Sequence, residues 1–184
     1  MVAAFSIAAV TAALKSRIEN WLVEQSIGAH LGADVVVSAL PPDRISTAAD
    51  ERPQINLFLS TLTPNTALHR TVFPFDLHYL ITAYGSADFQ HELLLGVVID
   101  AMHNLEINAA SLRVMIAALA AREHTSLWTA ALEANLLGEH ERLVAKPQFL
   151  TYEESGRIWS SLQARYRPSV AYRITAQTRD EVAR

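Results

Sequence analysis

The sequence predicts an α+β fold: a single domain whose mixed, mainly antiparallel sheet is flanked by helices. Three observations carry that expectation. Residues 54–62, 75–84 and 169–177 alternate with the two-residue period of strands, whereas residues 6–25 and 88–104 repeat apolar side chains at three- and four-residue steps. The 184 residues are 51% apolar and 18% charged, which supports a globular core and excludes a wholly disordered chain. No internal repeat, low-complexity tract or interdomain linker interrupts them, so one domain over 1–184 accounts for the chain.

The N-terminal run MVAAFSIAAVTAAL resembles the apolar part of a signal peptide. No Lys or Arg precedes it, and it stops at Lys15, too short to span a bilayer. Ile7, Val10, Leu14, Ile18, Trp21 and Leu22 fall on one helical face, so residues 6–25 read as an amphipathic helix and not as a cleaved leader. Gly28 and Gly32 are expected to break it. A short strand follows at 34–38, and Pro41-Pro42-Asp43-Arg44 turns the chain into a polar loop reaching Pro53. The strand at 54–62 sets Ile55, Leu57 and Leu59 on one face and Asn56, Phe58 and Ser60 on the other, as an inner strand does. Thr63-Pro64-Asn65 is turn chemistry. The next strand, 75–84, shows Leu77, Tyr79, Ile81 and Ala83 on one face and pairs antiparallel with the first.

Gly85 stops that strand, and Ser86 or Asp88 is the expected cap of a helix from Phe89 to about His103. Residues 109–122, and less distinctly 125–137, are helical by propensity. Residues 140–148 read as a weak strand with Pro147 at its edge or in a bulge. Thr151 and Glu154 form a capping box that opens a short helix through Leu162. The last strand, 169–177, precedes a charged tail at 179–184.

Chemistry is harder to find. Fifteen Lys+Arg against nineteen Asp+Glu give a net charge of −4, without the basic surplus of a nucleic-acid binder. No cysteine is present, which removes disulfides, thiol catalysis and thiolate metal sites. His91-Glu92 begins like a zincin motif, but Leu95 stands where the second histidine belongs; Asp100 and His103 lie one turn apart without a third ligand nearby. No metal or cofactor is therefore expected. Gly85-Ser86-Ala87 occupies the place of a nucleophile elbow, yet Tyr84 and Asp88 replace its flanking glycines. Asp50-Glu51 and Glu153-Glu154 are expected to be solvated carboxylates. No catalytic residue is assigned.

Two segments stand out. Residues 52–60 put Asn56 inside an apolar strand, and residues 165–174 gather Arg165, Tyr166, Arg167, Pro168 and Tyr172 around a strand start. Tyr and Arg are enriched at protein interfaces. These five are the candidate subunit or particle interface, with Arg165 and Arg167 expected to be solvated at a loop edge.

The same segments belong to an ordered set: the N-terminal helix with Ile7, Val10, Thr11 and Leu14; Arg52-Pro53, Ile55-Asn56-Leu57-Phe58 and Pro64-Asn65, with Leu68 and Arg70; Leu77 through Gly85; Glu92 through Gly96; Trp159-Ser160-Ser161-Leu162; and Tyr166 through Tyr172. In that order they resemble the cap, or tail-terminator, family of extracellular contractile injection systems, the phage-tail-like particles of the antifeeding-prophage and Photorhabdus-virulence-cassette type. Residues 122–141 look longer and more helical than the family pattern, and the final strand turns polar early, at Gln177-Thr178-Arg179. The resemblance implies a structural protein and not an enzyme: an α/β subunit closing the inner tube and sheath, as a homo-hexameric ring assembled in the cytoplasm and released with the particle. It implies no cofactor, nucleic acid or membrane. A baseplate or adaptor protein of the same particle is the alternative within that class. A small-molecule hydrolase or ligand-binding α+β domain, its histidines converging on a pocket, is the alternative outside it.

Overall fold

The structure, a computed structural model, describes residues 2–45, 51–65 and 72–178, with side chains from Phe5 onward. Leu68 and Arg70 of the ordered motifs and the tail at 179–184 lie outside the described residues. The chain opens with helix α1 (Val2–Glu24), a short α2 (Ile27–Leu31), strand β1 (Val36–Ser38) and a 3-10 turn at Pro42–Arg44. Strands β2 (Gln54–Pro64) and β3 (Phe75–Tyr84), helix α3 (Gln90–Met102), strand β4 (Glu106–Asn108) and helices α4 (Ala109–Glu123) and α5 (Ser126–Glu133) follow. Strand β5 (Glu141–Gln148), helix α6 (Tyr152–Ser161) and strand β6 (Ser169–Thr178) complete it. The six strands form one sheet in the order β1-β2-β3-β6-β5-β4, with β1 parallel to β2 and every other pair antiparallel. The predicted α+β class and mixed, mainly antiparallel sheet are borne out.

One face of the sheet carries the main core. Leu77, Tyr79, Ile81 and Ala83 of β3 are each buried and pack with Val10, Leu14 and Ile18 of α1 and with Leu94 and Val98 of α3. Alternation on the strand and helical spacing on α1 and α3 therefore meet along one seam. Thr11 fixes the depth of α1 on the sheet. Its hydroxyl donates to the Ile7 carbonyl at 3.1 Å, which leaves the Tyr79 hydroxyl to donate to Thr11 Oγ1 at 2.7 Å. Burial holds the Tyr79 hydroxyl far above its ordinary pKa, so it stays a donor.

The opposite face buries Ile45, Leu80, Tyr84 and Trp159 apart from that core, with Asn56 and Thr82 among the buried polar groups. Asn56 clips β1 to β2. Its Oδ1 accepts from Ser38 Oγ at 2.7 Å and from the Leu40 amide at 3.0 Å, and its Nδ2 donates to the Leu40 carbonyl at 2.9 Å. A polar residue inside an apolar strand is here a satisfied tie between neighbouring segments.

Several local expectations change. Helix α1 ends at Ser26, in the left-handed region with φ 54°, and Gly28 lies inside α2, so only Gly32, with φ 64°, acts as a stop. Thr63 and Pro64 remain in β2, which runs past an irregularity between Leu59 and Thr61. Neither Ser86 nor Asp88 caps α3. Phe89 holds the N-cap position with φ 66°, and Gln90 Oε1 accepts from the Ala87 amide instead. That turn favours Gly85, because a Cβ there would stand 2.9 Å from Gln90 Cβ, which the helix backbone holds in place. Helix α5 stops at Glu133, short of Leu137, and β4 is a strand that periodicity did not mark. In β5 the Ala145 amide donates to the Leu105 carbonyl at 3.1 Å, on the β4 side. By strand alternation the Pro147 nitrogen faces the same side, past the last β4 pair, where no ladder bond is lost.

Candidate interaction surface

Where α3 ends, the helix-covered face of the sheet is left open, and a groove of about 640 Å³ forms there. Ala145 and Tyr172 floor it, the last turns of α3 with Ile99 and Met102 make one wall, and residues 149–152 with Tyr166 make the other. The rim is aromatic: Phe149 and Tyr152 are each 95% exposed and Tyr166 is 60% exposed. Exposed aromatic groups clustered round a groove are the usual mark of a protein contact.

Local bonds and a ring contact border this rim. The Glu154 amide donates to Thr151 Oγ1 at 3.2 Å while the Thr151 amide donates to Glu154 Oε2 at 2.8 Å, completing the predicted capping box immediately after Phe149 and Leu150. That amide, followed by the Thr151 hydroxyl, holds the Glu154 carboxyl below its ordinary range. Tyr166 leans edge-on against buried Trp159, with ring centroids 6.0 Å apart and planes at 65°.

The five residues singled out in the sequence divide here. Tyr166 and Tyr172 line the groove, Tyr172 as its buried floor, where burial raises its hydroxyl pKa. Arg165 and Pro168 are exposed beside it. Arg167 turns the other way. Its Nη2 meets Glu51 Oε2 at 3.2 Å, its Nη1 donates to His91 Nε2 at 3.3 Å, and its guanidinium stands 5.7 Å from the Tyr84 ring centroid. Its side chain is 21% exposed and that of Glu51 only 7%, so neither is the solvated group expected. The Tyr84 hydroxyl is pushed up to about 12 by burial, eased by the Arg167 charge and reinforced by that of Glu51. The contact therefore ties the β6 approach to the segment before β2 and to α3.

The histidine pairs do not converge. His91 accepts from Arg167, and His103 Nε2 faces Asn104 Nδ2 at 3.0 Å, with Asp100 supplying only its backbone carbonyl to the His103 amide. Among the described residues no group of three or more His, Asp or Glu is placed to hold a metal ion. Nor is any described helix long and apolar enough to cross a membrane. Sequence reasoning missed Phe149, Leu150 and Tyr152, whose exposure follows from the turn between β5 and α6 and has no signature of its own.

The structure shares its fold with the sheath/tube terminator of an extracellular contractile injection system, PVC, in the extended state, with a TM-score of 0.52 and 16% identity over 94% of this chain. This chain spans 56% of that one. The chain belongs to the Pvc16 N-terminal domain family, which it matches over residues 9–183. No curated protein matches it. The resemblance read from the ordered motifs is thus borne out in family and fold.

Proposed function

We propose that this chain is a structural component of a phage-tail-like contractile injection particle, terminating its inner tube and sheath, and not an enzyme. The observation that supports this best is the family match across nearly the whole chain, joined by the fold shared with a sheath/tube terminator. A terminator needs one side that docks on the last tube and sheath layers and another that offers no further docking site. A homo-hexameric ring meets that need with a single subunit type, because a head-to-tail contact repeats until it closes. The aromatic groove, bordered by Arg165, Tyr166, Pro168 and Tyr172, is the surface we assign to the contact with a neighbouring subunit or tube layer. In this reading the chain is assembled inside the cell, leaves as part of the particle, and has sheath and tube proteins as partners, with no nucleic acid or membrane.

Particle length is the test. Particles produced without this chain should vary in length under the electron microscope, and particles carrying Phe149→Asp with Tyr152→Asp should do the same while the variant itself stays folded. Uniform lengths in the absence of the chain would overturn the terminator reading. Uniform lengths with the double variant correctly incorporated would remove only the groove from the contact. Localisation at the opposite end of the particle would make it a baseplate or adaptor protein instead.

A further inference from the structure

The sheet face opposite the helices is covered unevenly, and over β6 Asn65 Nδ2 donates to Oγ1 of the buried Thr175 at 3.1 Å. Near β2 and β3 it is closed by Ile45, Leu80, Tyr84 and Trp159, whereas toward β5 the side chains of His78, Arg142, Lys146 and Arg173 remain part-exposed. Register places Thr61, His78, Arg173 and Lys146 in one row across β2, β3, β6 and β5. Lys146 and Arg173 are direct cross-strand neighbours, an arrangement in which like charges oppose each other.

The chain itself balances this row poorly. Asp76 Oδ2 lies 3.8 Å from Arg173 Nη1, at the long end of an ion pair, while Asp76 Oδ1 and Arg173 Nε are buried without a hydrogen-bond partner among the described residues. Lys146 makes no ion pair or hydrogen bond among the described residues. Arg142 Nη1 reaches Glu106 Oε2 at 3.1 Å, but its Nε is likewise buried and unpartnered. His78 is fully engaged, with Gln148 Oε1 2.8 Å from Nδ1 and the Thr63 hydroxyl 2.8 Å from Nε2. Two facing cations, Lys146 and Arg173, thus share one part-exposed row, with the buried Nε groups of Arg142 and Arg173 beneath it. The two facing charges repel each other in the isolated chain, and a carboxylate laid across Lys146 and the exposed end of Arg173 would relieve that repulsion.

We propose that the part-exposed row His78–Arg173–Lys146 across β3, β6 and β5 is a docking surface for an acidic polypeptide segment of a partner protein, with a carboxylate bridging Lys146 and Arg173. Three strands about 4.8 Å apart offer a strip that suits an extended chain. The net charge of −4 disfavours a long polyanion such as nucleic acid, which would meet repulsion beyond the strip, whereas a short acidic segment meets only the local cations. Neither Lys146 nor Arg173 lines the aromatic groove, and the proposal does not depend on the terminator reading.

The test titrates the full ¹⁵N-labelled chain with a glutamate hexapeptide. Amide shifts should be confined to β3, β5 and β6 and should weaken as salt rises from about 50 to about 300 mM. Lys146→Glu sets a carboxylate opposite Arg173. It should cut peptide affinity by roughly tenfold or more while leaving the melting temperature unchanged or higher. Lys146→Met, which keeps the apolar stem, should also weaken binding and serves if the first variant misfolds. Absence of shifts with the wild-type chain, or undiminished binding by both variants, would overturn the proposal. Tighter binding of a thymidylate hexanucleotide would overturn it too, by making the strip a general polyanion site.

Discussion

The two faces of the sheet are built from the same strands and do opposite things. On β3 the helix-side residues Leu77, Tyr79, Ile81 and Ala83 are all buried, whereas the other side passes from the half-buried Asp76 and His78 to the buried Leu80, Thr82 and Tyr84. Helices α1 and α3 cover one side as far as the groove; on the other, burial is complete near β2, near Trp159 and at Thr175. The difference teaches where stability is held. The helix side fixes the fold through close packing, and this frees the far half of the opposite side to carry groups that packing alone would not select.

That contrast can be broken in a graded series. Ile81→Ala opens a cavity in the main core and should cost about 2–5 kcal/mol, read as a shifted urea midpoint at unchanged slope. Asn56→Ala strips the clip between β1 and β2 and leaves the Leu40 amide and carbonyl without their partner; a loss of about 1–3 kcal/mol is expected by the same measurement. Thr151→Ala removes one side of the capping box and should cost roughly 1 kcal/mol.

The capping box also carries a pH signature. The folded Glu154 carboxyl is held below its ordinary 4.5, so its contribution is complete above that value and is lost as pH falls through the lower folded value. The deficit of Glu154→Ala should be visible near neutral pH and should fade on acidification; a deficit constant with pH would show that the carboxylate charge plays no part. The smallest effect on stability belongs to the groove. Phe149→Asp with Tyr152→Asp should stay within about 0.5 kcal/mol of wild type, because both side chains are already in water. A larger loss would mean that the rim supports the fold.

Much of this architecture was legible because local chemistry and tertiary packing agree. Strands β2, β3 and β6 alternate, α1 and α3 keep helical spacing, and Thr151 with Glu154 announces α6 within four residues. What escaped depends on distant partners or on too few residues. Strand β4 has three residues, fewer than any period needs, and exists because β5 offers it a ladder. Helix α1 stops at Ser26, ahead of the glycines, because a serine there accepts the left-handed conformation that sequence assigns to glycine. Arg167 reads as a loop cation until Glu51, 116 positions away, is brought against it. For the groove, Tyr166 and Tyr172 were visible by composition. Phe149 and Tyr152 were not, since an aromatic at a turn looks the same whether buried or bare.

Pro147 has a consequence for crowding. Copies of any chain kept at high local concentration meet one another often, and an open strand edge would let them stack by backbone pairing alone. At the free end of β5 the proline has no amide hydrogen to offer, and β2 along its own margin is interrupted between Leu59 and Thr61 and ends in Pro64. Backbone-driven polymerisation is thereby discouraged at both margins of the sheet. Encounters between copies are left to side chains, which can distinguish a correct neighbour from an incorrect one.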